Sequence, residues 1–140
     1  MSIPHGYRIT ETLFSNDKAR IFKALRKTDN LSVILRTFGD KANQPSSTAR
    51  LAFTAEVMRQ FDHPNIVKVV DWIDDKEFPY LVMKDINAID LNRYAETFKD
   101  KQVPIIKFLS LAIQLADALS VLHHAQVIHK DLHPGNIVIN

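Results

Sequence analysis

An apolar stretch near the C-terminal end of the 140-residue chain restricts its possible folds more than any other feature. Between residues 105 and 122, Phe108, Leu111, Leu115, Leu119 and Leu122 recur at three- and four-residue intervals, the period of one helix face. Ala112, Ile113, Ala116 and Ala118 widen that stripe beyond what a helix lying on a protein surface needs. Lys107, Gln114 and Asp117 interrupt it, which argues against a membrane span and for the central helix of a helical unit. Pro104 suits the first turn of this helix, and His123 and His124 suit its last, where imidazoles can meet the terminal carbonyls.

The preceding sequence has a different period. Short runs rich in β-branched and aromatic residues, at 7–10, 20–23 and 32–36, are separated by the polar clusters 15–18 and 27–30, a pattern that predicts three antiparallel strands. A polar loop over 39–47 leads to a helix that Ser46, Ser47 or Thr48 can cap, with Leu51, Ala55, Met58 and Phe61 on its apolar side and Pro64 beyond its end. Residues 66–73 and 80–83 read as two more strands joined by the acidic turn 74–77. Asp90 can cap a short helix reaching about residue 98. After the long helix come a polar loop, 129–136, and a strand start at 137–139. Ending inside a strand leaves backbone groups without partners, so the chain reads as a fragment.

Composition excludes several classes. With no cysteine there is no disulfide framework and no thiolate metal site, as fits a reducing, cytoplasmic setting. The N-terminus lacks the basic-then-apolar pattern of a secretory signal. The net charge of +2 conceals an asymmetry, 11 basic against 6 acidic side chains in residues 1–70 and 7 against 10 in 71–140. Neither half has the dense basic stripe of a nucleic-acid footprint.

The chemistry concentrates in Val127-Ile128-His129-Lys130-Asp131-Leu132-His133-Pro134-Gly135-Asn136-Ile137-Val138. Taken singly, Asp131 is a turn aspartate, Pro134-Gly135 an ordinary turn and Asn136 a strand-entry residue. As a set, flanked by apolar runs and preceded by a long helix, they closely resemble the catalytic loop of protein kinases. That resemblance implies an α+β, two-lobed fold, truncated here: an antiparallel N-lobe sheet with one helix over residues 1–86, then the start of a helical C-lobe over 87–140. It also implies ATP and Mg2+ as cofactors, Asp131 as the group that accepts or orients the proton of the attacking hydroxyl, and Asn136 as a metal ligand. His129 would buttress the loop.

Other segments extend the resemblance to nearly the whole chain. Asp62-His63-Pro64-Asn65-Ile66-Val67 looks like the passage from the N-lobe helix into the next strand, and Tyr80-Leu81-Val82-Met83 like the strand before the hinge. Met83 would then be the gatekeeper, the backbone of Lys84 to Ile86 would meet the adenine edge, and Leu13, Ile21 and Ile34 would line the adenine site. Asp90 falls where an acid often contacts the ribose, beside its equally ready role as a helix cap. Glu56 stands for the glutamate of the helix, and Arg36 replaces the lysine that in the family pairs with it and positions the α and β phosphates.

Departures keep alternatives open. The segment 13–21, where the family has its glycine-rich phosphate loop, contains no glycine, and Asp17 adds a negative charge there. His133 and the run His-Lys-Asp-Leu-His-Pro-Gly-Asn also look like kinase-fold small-molecule phosphotransferases. Within protein kinases the chain looks most like the serine/threonine-kinase-like domains that open large bacterial signalling proteins bearing an ATPase module and a histidine kinase. The implied activity is transfer of the γ-phosphoryl group of ATP to a protein hydroxyl in signal transduction, with a protein substrate or downstream signalling domains as partners. A pseudokinase binding module is the second possibility, and the isolated chain is expected to be inactive.

Overall fold

A computed structural model describes residues 4–39, 44–75 and 78–140. The chain divides into two compact units, Met1–Asp62 with Val67–Asp85, and His63–Ile66 with Ile86–Asn140.

The first unit is a five-stranded antiparallel sheet with one helix. Its strands are β1 (Tyr7–Ser15), β2 (Ala19–Arg26), β3 (Ser32–Phe38), β4 (Val69–Ile73) and β5 (Tyr80–Lys84), in the spatial order β1-β2-β3-β5-β4. Helix α1 (Pro45–Met58) lies between β3 and β4 in the chain. Alternation along β3 sorts its two faces: Val33, Leu35 and Thr37 are buried, while Ser32, Ile34, Arg36 and Phe38 are half-buried. Val33 and Leu35 join Tyr7, Phe22, Ala24, Tyr80 and Val82 in the main core. The other face meets α1, where Leu51 and Ala55 pack with Val69 and Leu81, flanked by Phe38, Met58, Trp72 and Met83.

Strand boundaries correct the sequence reading in places. Strands β1 and β2 run longer than expected, and β4 begins at Val69 rather than residue 66 because 63–68 turn and bend first. Helix α1 begins at Pro45 after Gln44, without a side-chain cap, so Ser46, Ser47 and Thr48 lie inside its first turn rather than capping it. Proline explains the early start, since its missing N–H costs nothing where helix donors are unpaired. Of the expected loop 39–47, residues 40–43 lie outside the described residues, as do Lys76 and Glu77 of the acidic turn.

Two features of this sheet carry predictions. The Thr37 hydroxyl is buried at 2% exposure with no hydrogen-bond partner among the described residues. Thr37→Val, nearly isosteric, is expected to stabilise the first unit by about 1 kcal/mol, read as slower amide exchange along β3. In the β2–β3 turn the Arg26 guanidinium grips Asp29 through both carboxylate oxygens, at 2.9 and 2.5 Å, and Leu31 N–H adds a third bond at 3.1 Å. These bonds hold the Asp29 carboxyl at about 2, below the ordinary 3.8. Because the folded value is depressed, the turn's contribution is complete above about pH 4 and is lost as pH falls through about 2. Asp29→Asn should therefore destabilise the hairpin at neutral pH and converge with the parent protein in strong acid, measured by amide exchange of Asn30 and Leu31 against pH.

The second unit contains β6 (Ile89–Asp90), α2 (Leu91–Glu96), α3 (Ile105–His124) and β7 (Val138–Ile139). Asp90 caps α2, its Oδ1 accepting from Arg93 N–H at 3.1 Å. Pro104 stands just before α3 instead of in its first turn. At the other end His124 Nδ1 lies 2.7 Å from the Ser120 carbonyl. The terminal strand is not unpaired, as expected from sequence: Ile89 and Asp90 pair antiparallel with Ile139 and Val138. His63 and Asn65 both reach Asp117 Oδ2, at 3.2 and 3.3 Å, which fastens 63–66 to α3. Only Ala118 and Leu122 of α3 are buried, and Ile105, Ile106, Phe108, Leu109 and Ile113 are exposed.

Candidate active site

Arg36, Ile34, Ile21, Leu13, Met83 and Lys84 belong to the first unit, with Glu56; Ile86, Asp90, Asp131 and Asn136 belong to the second.

In the first unit the sheet register gathers most of the expected nucleotide-site residues on one face. Ile21 of β2 is directly opposite Arg36, and Lys23 is opposite Ile34. From β5, Met83 is opposite Ile34 and Leu81 opposite Arg36. Direct cross-strand partners project to the same side, so Ile21, Ile34, Arg36 and Met83 share the face on which α1 lies. Leu13 sits at an irregularity of β1 between Thr12 and Phe14, and Phe14, not Leu13, is the partner of Ile21. A bulge displaces side chains by one position, which strand alternation in the sequence does not reveal.

Glu56 is not brought to Arg36: no ion pair joins them among the described residues, and Glu56 is exposed. The buried helix positions Leu51 and Ala55, with Met58 beside them, define the side facing the sheet. At 100° per residue Glu56 points roughly 130° away from the centre of that side.

A buried cluster escaped the sequence reading. Asp85, immediately after β5, has a side chain only 4% exposed, and its Oδ2 lies 2.9 Å from Lys23 Nζ and accepts from Ser32 Oγ at 2.6 Å. The available signal was Lys23 two residues after Ile21, hence on the same face, with an acid following the strand that pairs with β3. Lys84 N–H donates to the Lys68 carbonyl at 2.9 Å.

In the second unit, the loop after α3 positions its polar groups through its own backbone. Lys130 adopts a left-handed conformation (φ 62°), which for a non-glycine residue costs on the order of 1 kcal/mol and turns the chain sharply before Asp131. His129 Nδ1 accepts from Asp131 N–H at 3.3 Å, the buttress expected of it. Asn136 Nδ2 donates to the Asp131 carbonyl at 2.9 Å and to Asp131 Oδ2 at 3.3 Å, so the two residues five apart form one unit. His133 Nδ1 accepts from Gly135 N–H at 3.1 Å, and its Nε2 lies 3.8 Å from Asp131 Oδ2. The bond to Gly135 assigns the neutral ring's proton to Nε2, on the side of the carboxylate. A Cβ at Gly135 would come within 3.0 Å of the His133 ring, so glycine leaves the ring its place.

Asp131 is exposed, with one oxygen held by Asn136, and can therefore accept a proton from an incoming hydroxyl. With its amide nitrogen turned to Asp131, Asn136 keeps its amide oxygen as an acceptor. The Asn136 amide oxygen is a hard donor of the kind magnesium takes beside phosphate and water, and among the described residues no group of three His, Cys, Asp or Glu could hold a metal ion. Asp90, by contrast, has a carboxylate oxygen committed to the α2 cap.

Comparison with known proteins identifies the family and the fold. A family model described as Protein kinase domain matches residues 7–140. The chain is 30% identical over 136 residues to Serine/threonine-protein kinase ULK3 of Mus musculus, spanning 96% of this chain and 28% of that protein. It is 29% identical over 106 residues to Serine/threonine-protein kinase PknG of Mycobacterium leprae, spanning 72% and 13%. In fold it is similar to the PknI kinase domain of Mycobacterium tuberculosis, with a TM-score of 0.83, 19% identity, and coverage of 99% of this chain and 58% of that one.

Proposed function

The chain belongs to the protein kinase domain family, and from that premise we propose that the full-length protein binds ATP with magnesium and transfers the γ-phosphoryl group to a protein serine or threonine hydroxyl. The observation that carries this reading is the Asp131–Asn136 unit, in which a carboxylate and an amide are locked together on a buttressed loop.

In this reading Asp131 accepts or orients the proton of the attacking hydroxyl, and Asn136 supplies an amide oxygen to magnesium. The ion, when bound, would neutralise charge on the transferring phosphoryl group. Ile21, Ile34 and Met83 line the base, with Leu13 at the edge of that wall, and the backbone of Lys84 to Ile86 meets its polar edge. Lys23, Asp85 and Ser32 brace that segment from the first unit. Arg36 contacts the phosphates, with Asp90 near the ribose. Glu56 would join Arg36 only after a rotation of α1. A protein substrate, downstream signalling domains as partners, and a cytoplasmic, signal-transducing role complete the proposal.

A regulatory pseudokinase is the second reading, favoured by the missing Arg36–Glu56 pair. Calorimetry of Mg-ATP with the full-length protein, alongside phosphate transfer to a generic protein substrate, separates the two. Binding with turnover supports the kinase reading. Binding without turnover, in the parent protein and in Arg36→Lys alike, favours the pseudokinase.

A further inference from the structure

The tip of the β1–β2 hairpin, residues 15–19, occupies the position where a phosphate-binding loop offers backbone N–H groups to its ligand. Here the donors of Asn16, Lys18 and Ala19 are already used. Asn16 Oδ1 accepts from Lys18 N–H and from Ala19 N–H, both at 2.8 Å, and Asn16 N–H donates to the Ala19 carbonyl at 3.0 Å. The tip is thus a closed turn whose own side chain plays the part of an anion. The tip also rests against the end of β3. A Cβ at Gly39 would stand 2.3 Å from the Asn16 carbonyl oxygen and from the Asp17 carbonyl carbon, and 2.4 Å from the Asp17 oxygen. So close an approach of two backbones is possible only because residue 39 has no side chain. The chain has no glycine within its tip and one directly beneath it.

We infer that Asn16 is a specificity-determining residue of the nucleotide site: by capping the Lys18 and Ala19 amides it withdraws them from phosphate, so the site recognises the nucleoside part of its ligand and grips the phosphates weakly. This deepens the nucleotide-binding reading and rests on it. Each withheld amide is a donor to a charged oxygen, an interaction whose gain multiplies affinity by about tenfold or more. Asn16 has no left-handed backbone to preserve, so alanine removes the acceptor without straining the chain.

The test compares adenosine and Mg-ATP binding to the full-length protein and to Asn16→Ala and Asn16→Gly, with amide exchange of Lys18 and Ala19 followed in the same proteins. The parent protein is expected to prefer Mg-ATP over adenosine by no more than about tenfold, the share of the Arg36 contact. Both variants should gain about tenfold for ATP and nothing for adenosine. Independently of any ligand, the Lys18 and Ala19 amides should exchange slowly in the parent protein and at least about tenfold faster in Asn16→Ala. A parent protein that prefers ATP by a hundredfold with no change in Asn16→Ala would overturn the inference. So would equal exchange of the two amides in parent and variant. If neither adenosine nor ATP binds any of the proteins, the nucleotide reading fails and the phosphate inference falls with it, whereas slow exchange would still show the tip closed.

Discussion

Asp131→Asn in the full-length protein is expected to lower phosphoryl transfer by about 10²- to 10⁴-fold while leaving Mg-ATP affinity within about threefold. The carboxylate is the base proposed for the loop after α3, and it stands exposed, held from one side by Asn136 and flanked by His133. Asparagine keeps the volume and can still meet Asn136 by turning its own amide, so the loop geometry survives while the base is lost. The loss should therefore fall on kcat rather than on KM. A parallel loss of binding would mean that Asp131 holds ligand or metal and is not chiefly a base. An unchanged rate would remove Asp131 from the reaction.

Leu35→Ala should produce the largest loss of stability in the first unit, about 2–5 kcal/mol. Leu35 has no exposed surface and sits in the central strand among Tyr7, Phe22, Val33, Tyr80 and Val82, all of them fixed by strand pairing on both sides of β3. Neighbours so constrained cannot collapse into the space left behind. Amide exchange across β2, β3 and β5 should accelerate by about 30-fold or more, which corresponds to the lower end of that range. Ile34→Ala, on the half-buried face, should cost distinctly less. Equal effects at the two positions would mean that the two faces of β3 are buried alike, contrary to the alternation seen here.

The loop after α3 was legible as one unit because its bonds are local. His129, Asp131, His133, Gly135 and Asn136 lie within eight residues, and the hydrogen bonds among them span five positions at most. The cap of Asp90 on α2 is equally local. What the sequence did not reveal was long-range or depended on phase. Glu56 was assigned by resemblance, as the helix glutamate that pairs with the third strand, but the direction of a helical side chain turns by 100° with each residue, and the packing of Leu51 and Ala55 sets that phase. Leu13 was assigned by resemblance as an adenine-covering residue, and an irregularity of β1 makes Phe14 the cross-strand partner of Ile21. Asp85 gave no sign of being buried, because its partners Lys23 and Ser32 are brought to it by pairing across three strands.

By itself, then, the sequence determined the class of fold and the local hydrogen-bonding loop over 129–136. The periods of two and 3.6 are written into consecutive residues, and a loop whose hydrogen bonds close on itself needs little from elsewhere. The tertiary structure decided which side chains stand together. Strand register put Ile21, Ile34, Arg36 and Met83 on one face, helix packing turned Glu56 away from Arg36, and Gly39 at the end of β3 let the backbone of Asn16 and Asp17 come close against it. Each of these depends on the phase of one element against another, and phase is set by packing between residues far apart in the chain.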